Sequence, residues 1–327
     1  MSIAFSPFKI RNLELCNHFM RSSTNEQKSD DEGHPTQEIK DMIIKLSEGH
    51  IGLIVTGFMY VNPKGKATEN QAGMYSEELA KEWISTVEKV HQNGSKILVQ
   101  LTHGGPGVVP PLEPVSAGER GRKLTIEEIK EIEGWFIQAA KYCEEARFDG
   151  IQLGAGHGYL LSTFLSPITN KRTDEYGGSD ENNVRMVSNI AQGIRKVTNP
   201  NFVIGIKLNG TDRAEGGVTP EIASRYVTLL KDKFDFFEIS SGFGVAKHVI
   251  QDVEKSEAKQ ARPSRGEGYN IEAAALIKKN NPDVIITGVG GVRTKVFIDE
   301  VLKSKKVDYI SMARPFLEDP FYLNKLQ

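Results

Sequence analysis

Phe202-Val203-Ile204-Gly205-Ile206-Lys207-Leu208 is a short, nearly unbroken apolar run that carries one charge. A strand with one wet face alternates apolar and polar residues. A run that is apolar at both parities suits a strand covered on both faces, as in a parallel sheet. Gly52-Leu53-Ile54-Val55-Thr56 and Val284-Ile285-Ile286-Thr287 have the same character. Working outward from these gives eight candidate strands, at 18–22, 52–56, 96–101, 150–153, 202–208, 236–240, 284–287 and 307–312. Helix-like stretches at 36–48, 77–93, 125–147, 180–197, 219–232, 270–281 and 294–304 lie between them. Thr125 ahead of Glu127 and Glu128, and Thr219-Pro220-Glu221, are helix-start signals that place acids in the first turn. Eight strands with intervening helices predict an α/β fold, a (β/α)8 TIM barrel, with a doubly wound sheet as the rival arrangement. Linkers, repeats and low-complexity stretches are absent, so residues 1–327 read as a single domain.

The first fifteen residues fall outside the alternation. Phe8, Ile10, Leu13 and Leu15 flank Arg11-Asn12 and predict an N-terminal β-hairpin that plugs the lower mouth of the barrel. Composition excludes several function classes. The 41 Lys and Arg nearly balance the 43 Asp and Glu, for a net charge of −2 with no basic block, which argues against nucleic acid as a partner. Cys16 and Cys143 match no metal or redox spacing, so no metal site is expected. No basic stretch followed by an apolar one opens the chain, and the longest apolar-rich run, 51–61, is too short to span a bilayer. The expectation is a soluble, cytoplasmic protein acting on small molecules, with a homo-oligomer left open.

Active sites of such barrels lie where the strands end at their carboxyl side. The residues following each strand are therefore the informative ones: Ser22-Ser23-Thr24-Asn25, Gly57-Phe58, Gln100 to Gly105, Gly154 to Tyr159, Asn209, Ser240-Ser241-Gly242, Gly288 to Gly291, and Ala313-Arg314. Loops after the seventh and eighth strands often hold phosphate, since glycine lets backbone N–H groups approach an anion and an arginine adds a fork of donors. Gly288–Gly291 with Arg314 fits that pattern; the plainer alternative is a tight turn and a surface charge. Lys207, inside an apolar strand, is open to three roles: Schiff-base nucleophile, partner of an anionic cofactor, or half of a structural ion pair. His157 and Tyr159 could present a hydrogen-bond donor and a phenolic acid to one ligand. Connections 154–179 and 241–269 are long, which in a compact domain points to function.

The stretch His157-Gly-Tyr-Leu-Leu-Ser-Thr-Phe-Leu-Ser-Pro-Ile-Thr-Asn-Lys-Arg-Thr-Asp-Glu-Tyr-Gly-Gly178 resembles the Old Yellow Enzyme family of FMN-dependent NAD(P)H oxidoreductases. Phe5-Ser-Pro-Phe-Lys-Ile, Gln100-Leu-Thr-His-Gly-Gly and Arg314 with Asp319-Pro-Phe extend the likeness over essentially the whole chain. The resemblance implies an ene-reductase with FMN across the barrel mouth, NADH or NADPH as hydride donor, and an activated alkene, quinone or similar molecule as electron acceptor. It implies that Gly290, Gly291, Ala313 and Arg314 hold the flavin phosphate, Gln100 the pyrimidine edge and Lys207 the N1/O2 side. Ser22, Ser23, Thr24, Asn25, Gly57 and Phe58 would lie along the ring near N5 and O4, with the flavin-tuning position falling on Asn25, or on Thr24 after a one-residue shift. Tyr159 matches the proton donor, and His157 one of two residues that bind the acceptor's carbonyl. The second of these is usually a histidine but is Gly154 here, and His103, Arg262 and Arg265 are candidates to replace it. Two other readings stay open: a flavin-binding protein with weak reductase activity, and a lyase or aldolase that uses Lys207 as a Schiff base.

Overall fold

The structure, a computed structural model, describes residues 2–243 and 266–327. Eight parallel strands form the barrel: β1 (Phe19–Arg21), β2 (Leu53–Tyr60), β3 (Lys96–Thr102), β4 (Gly150–Ala155), β5 (Val203–Thr211), β6 (Phe236–Ser241), β7 (Ile286–Gly288) and β8 (Ile310–Met312). They hydrogen-bond in the order β7-β6-β5-β4-β3-β2-β1-β8. A parallel bridge between Val289 and Ser311 joins the two ends of the sheet. The Thr287 hydroxyl, donating to the Tyr309 carbonyl at 2.7 Å, ties the same seam. All eight expected strands are present.

Their ends differ from the expected ones where side chains replace the simple ladder. The second strand runs on through Gly57 and Phe58, which the sequence places after it. A bulge between Val55 and Phe58 absorbs the extra residue, and pairing resumes as far as Tyr60 opposite Thr102. The helices follow their start signals. Thr125 and Glu128 form a reciprocal capping box ahead of Ile126–Glu145, at 3.2 and 2.8 Å. Thr219 caps Pro220–Leu230. The 77–93 and 180–197 stretches each divide in two, at Trp83 and Val184. Both residues sit near ψ ≈ 0 with side chains driven into the core, at 0% and 4% exposure, so burial bends the chain there.

The hairpin is present as well. Phe8–Ile10 pairs antiparallel with Leu13–Leu15. Ile10 and Leu15 pack with Met20, Leu53, Leu98 and Val203 in a buried cluster at the amino ends of the strands. That cluster closes the bottom of the barrel, so polar residues on the inner face are confined to its upper half. Two features have no counterpart in the sequence reading. A wholly buried helix, Leu160–Leu165, follows β4. A third excursion, after β3, carries the paired strands Val115–Ser116 and Arg122–Lys123. Among the described residues no helix is long and apolar enough to cross a membrane.

Candidate active site

Side chains two apart on a strand share a face. Gln100 and Thr102 on β3, Gln152 and Gly154 on β4, Lys207 and Asn209 on β5, and Glu238 and Ser240 on β6 therefore line the upper interior. The register sets Gln100 opposite Gln152, Gly154 opposite Lys207, Lys207 opposite Glu238 and Asn209 opposite Ser240. A buried polar layer results. Gln100 Nε2 donates to Gln152 Oε1 at 2.6 Å, and Gln152 Nε2 donates to Glu238 Oε2 at 3.0 Å. Ser311 Oγ donates to Glu238 Oε1 at 2.5 Å. Lys207 Nζ lies 3.7 Å from Glu238 Oε2 and donates to Ser22 Oγ at 2.8 Å and to the Ser23 carbonyl at 3.4 Å. A charge this deep needs such partners. Burial pushes the Lys207 ammonium below its ordinary range, Glu238 holds it up, and Arg21 presses it further down. With its donors committed this way, the Lys207 amine is held in one place beneath the barrel mouth.

Above this layer lies a cavity of about 160 Å3 lined by Ser22, His157, Lys207, Ser240, Tyr269, residues 289–293 and residues 311–315. It brings together seven of the sequence-derived candidates: Ser22, His157, Lys207, Gly290, Gly291, Ala313 and Arg314. Gly290 and Gly291 have φ of +149° and +75°, conformations that favour glycine. A Cβ on Gly290 would strike the Tyr269 ring at 2.5 Å. Arg314 begins the short helix that follows Ala313. Its side chain is exposed and makes no ion pair among the described residues.

His157 stands at the rim with φ +61°. Its Nε2 pairs with Ser240 Oγ at 2.8 Å, and its backbone N–H donates to Asn209 Oδ1 at 3.3 Å. Burial, reinforced by the Lys207 charge, lowers the imidazole to about 3, so the ring is neutral at pH 7. Tyr159 stacks obliquely on Phe58, with centroids 5.2 Å apart. Burial raises its phenol, which keeps it protonated.

The remaining candidates lie apart from that cavity lining. Thr24 Oγ1 accepts from Arg21 Nη2 at 2.6 Å, and Asn25 is exposed and accepts from Thr68. Gly57 packs against Glu26; a Cβ there would meet Glu26 Oε2 at 2.6 Å. The His103 ring packs on Gly65 and stacks on Trp135 at 6.1 Å, with Nδ1 accepting from the Gly105 N–H. Nothing in that arrangement turns it towards His157. Arg262 and Arg265 lie outside the described residues. Glu238 and Gln152 were missed, although polar residues inside apolar strands carry the same signal that singled out Lys207; Ser240, read only as a strand-end residue, is the partner of His157. Tyr269 has no such signal.

These residues fit FMN on their own chemistry. The paired glycines make a cradle that a side chain would fill, and Arg314 and the buried Lys207 line the same cavity. Ser23 Oγ and Thr102 Oγ1 are buried and unpartnered nearby. The enclosed volume is below the ~300–1,000 Å3 of pockets that surround a whole drug-sized ligand, which suits a cofactor lying partly across the open mouth.

Comparison with known proteins decides the family. The sequence pattern of the NADH:flavin oxidoreductase / NADH oxidase family matches residues 4–327. The chain belongs to that family. NADH:flavin oxidoreductases of this kind use FMN with NADH or NADPH, so the expected cofactors, enzyme class and Old Yellow Enzyme likeness all hold. An "NADPH dehydrogenase" of Clostridium acetobutylicum is 29% identical over 329 residues, spanning 98% of this chain and 93% of that protein. An "NADH oxidase" of Thermoanaerobacter brockii is 30% identical over 335 residues, but this chain spans only 50% of its length. In fold, TcOYE solved with pHBA superposes with a TM-score of 0.83 at 16% identity, covering 99% of this chain and 92% of that one.

Proposed function

We propose that this chain oxidises NADH or NADPH and passes the electrons to an activated alkene, with quinones and similar small molecules as further acceptors. The observation that carries the reading is the convergence on one cavity of the glycine cradle, Arg314, Lys207 and His157. FMN, when bound, would supply the two-electron hydride chemistry that links the nicotinamide to the acceptor's β-carbon. The chain's own residues bind and orient. Gly290, Gly291, Ala313 and Arg314 hold the phosphate. Lys207 would face the N1/O2 edge and would offer positive charge to the negative charge that reduction brings. Gln100 meets the pyrimidine edge. Ser22, Ser23, Thr24 and Asn25 and the backbone at Gly57 and Phe58 would contact the ring near N5 and O4.

Neutral His157 donates to the acceptor's carbonyl oxygen, and Tyr159 delivers a proton to the α-carbon. One hydride and one proton then account for the added hydrogen. Tyr159 suits this role because its phenol is protonated and sits two residues from His157 on the same rim. Replacing it in Tyr159→Phe should slow acceptor reduction about 10²–10⁴-fold while leaving reduction of the flavin by NADPH unchanged. Stopped-flow measurement of the two half-reactions with cyclohexenone separates them; an unchanged oxidative half-reaction removes Tyr159 from the chemistry. A second reading, a flavin-binding protein with weak reductase activity, draws on Gly154, which leaves His157 without the usual second donor. Rapid turnover of any enone by the wild type would refute it.

A further inference from the structure

The excursion after β3 ends over the site in a feature the proposed chemistry does not use. Between Val115–Ser116 and Arg122–Lys123 the chain turns at Arg120, whose φ is +75°. A non-glycine residue in that region is strained. The turn is nevertheless pinned: the Glu119 N–H donates to the Thr169 carbonyl at 3.1 Å and the Arg122 N–H to the Pro114 carbonyl at 2.9 Å. The side chain it presents is half-buried, with its guanidinium carbon 4.2 Å from the centre of the Phe243 ring. Phe243 in turn covers the segment between the two acceptor-handling residues. A Cβ placed on Gly158 would lie 3.1 Å from the Phe243 carbonyl oxygen and 3.6 Å from its Cδ1. Arg120 is therefore one aromatic ring removed from His157 and Tyr159.

Among the described residues no carboxylate lies within ion-pair distance of Arg120. Asp212 is near enough to act through space, but its oxygens already accept from Ser166 Oγ, the Val218 N–H and Asn209 Nδ2. Burial presses the guanidinium below its ordinary range, and Asp212 offsets this only in part. The Phe243 ring lies 4.2 Å from the guanidinium carbon, and the guanidinium's fork of N–H donors suits a carboxylate or phosphate. A strained, pinned, half-desolvated arginine with no anionic partner among the described residues is a costly arrangement unless an anion comes to it.

We propose that Arg120, backed by Phe243, binds an anionic group on the acceptor, so that the preferred substrates are activated alkenes bearing a carboxylate or phosphate. This rests on the acceptor site being at His157 and Tyr159. Titrating the FMN-loaded protein with cyclohexenone and with a carboxylated cyclohexenone, and following the flavin absorption, reads binding without turnover. The wild type should bind the carboxylate about tenfold or more tighter than the neutral ketone. Arg120→Met should abolish that preference and leave cyclohexenone binding little changed, and Arg120→Lys, which keeps the charge but not the planar fork, should retain part of it. Equal affinities in the wild type, or a preference that survives Arg120→Met, overturns the proposal. So does a variant that loses only NADPH binding, since the anion recognised would then be the nucleotide's phosphate. Protein that binds no FMN defeats the underlying reading instead, and melting temperatures of the two variants near that of the wild type show that the fold is intact.

Discussion

At the scale of single residues, the site works by holding groups in one protonation state. His157 and His103 are both kept neutral by burial, at about 3 and about 4 against an ordinary 6.5. In the unfolded chain both rings take up protons as the pH falls through 6.5, whereas in the folded protein they do not. The unfolded state then binds more protons, so stability is full above about 6.5 and is lost as the pH drops towards 4. Urea midpoints measured at pH 7 and pH 5 should show the loss, and His103→Gln should lessen it; a midpoint that rises on acidification contradicts the assignment. Lys207 was legible in the sequence because a charge within an apolar strand is conspicuous. Arg120 was not. Its significance lies in the Phe243 ring beside it and in the want of a carboxylate partner among the described residues, and neither is a property of its neighbours in sequence.

At the scale of elements, the strands were the most legible part. Burial on both faces favours continuous apolar runs, and that leaves its mark most plainly in β2, β5 and β7. The ends were less so, because Gly57, Gly154 and Asn209 belong to strands whose last pairs depend on a bulge or on the neighbouring strand's length. The excursion after β3 escaped notice because its strands are two residues each, too short to show a period. The turn after β7 is where an element makes a ligand site directly. Gly290→Ala would place a methyl group within 2.5 Å of the Tyr269 ring and so fill the cradle. FMN affinity, followed by quenching of flavin fluorescence, should weaken about tenfold or more, while the melting temperature falls by no more than the few degrees expected from about 1 kcal/mol of strain. Unchanged affinity would show that the cradle is not the phosphate site.

At the scale of the whole molecule, one division of labour explains the fold. The hairpin and the apolar lower layer close the barrel from below. The Gln100–Gln152–Glu238–Lys207 layer then carries polarity upward to a mouth lined by loops from separate strands. That plan could be read in the sequence as an alternation of strands and helices with polar residues gathered after the strands. The pairing of those residues across the barrel could not, since His157 with Ser240 and Lys207 with Ser22 join positions 83 and 185 residues apart. The account depends on the upper mouth being a flavin site anchored at Arg314, and the visible absorption of the purified chain tests this most directly. We predict flavin bands that persist through gel filtration and are lost or greatly weakened in Arg314→Ala. A colourless protein that stays colourless after incubation with FMN would contradict the account.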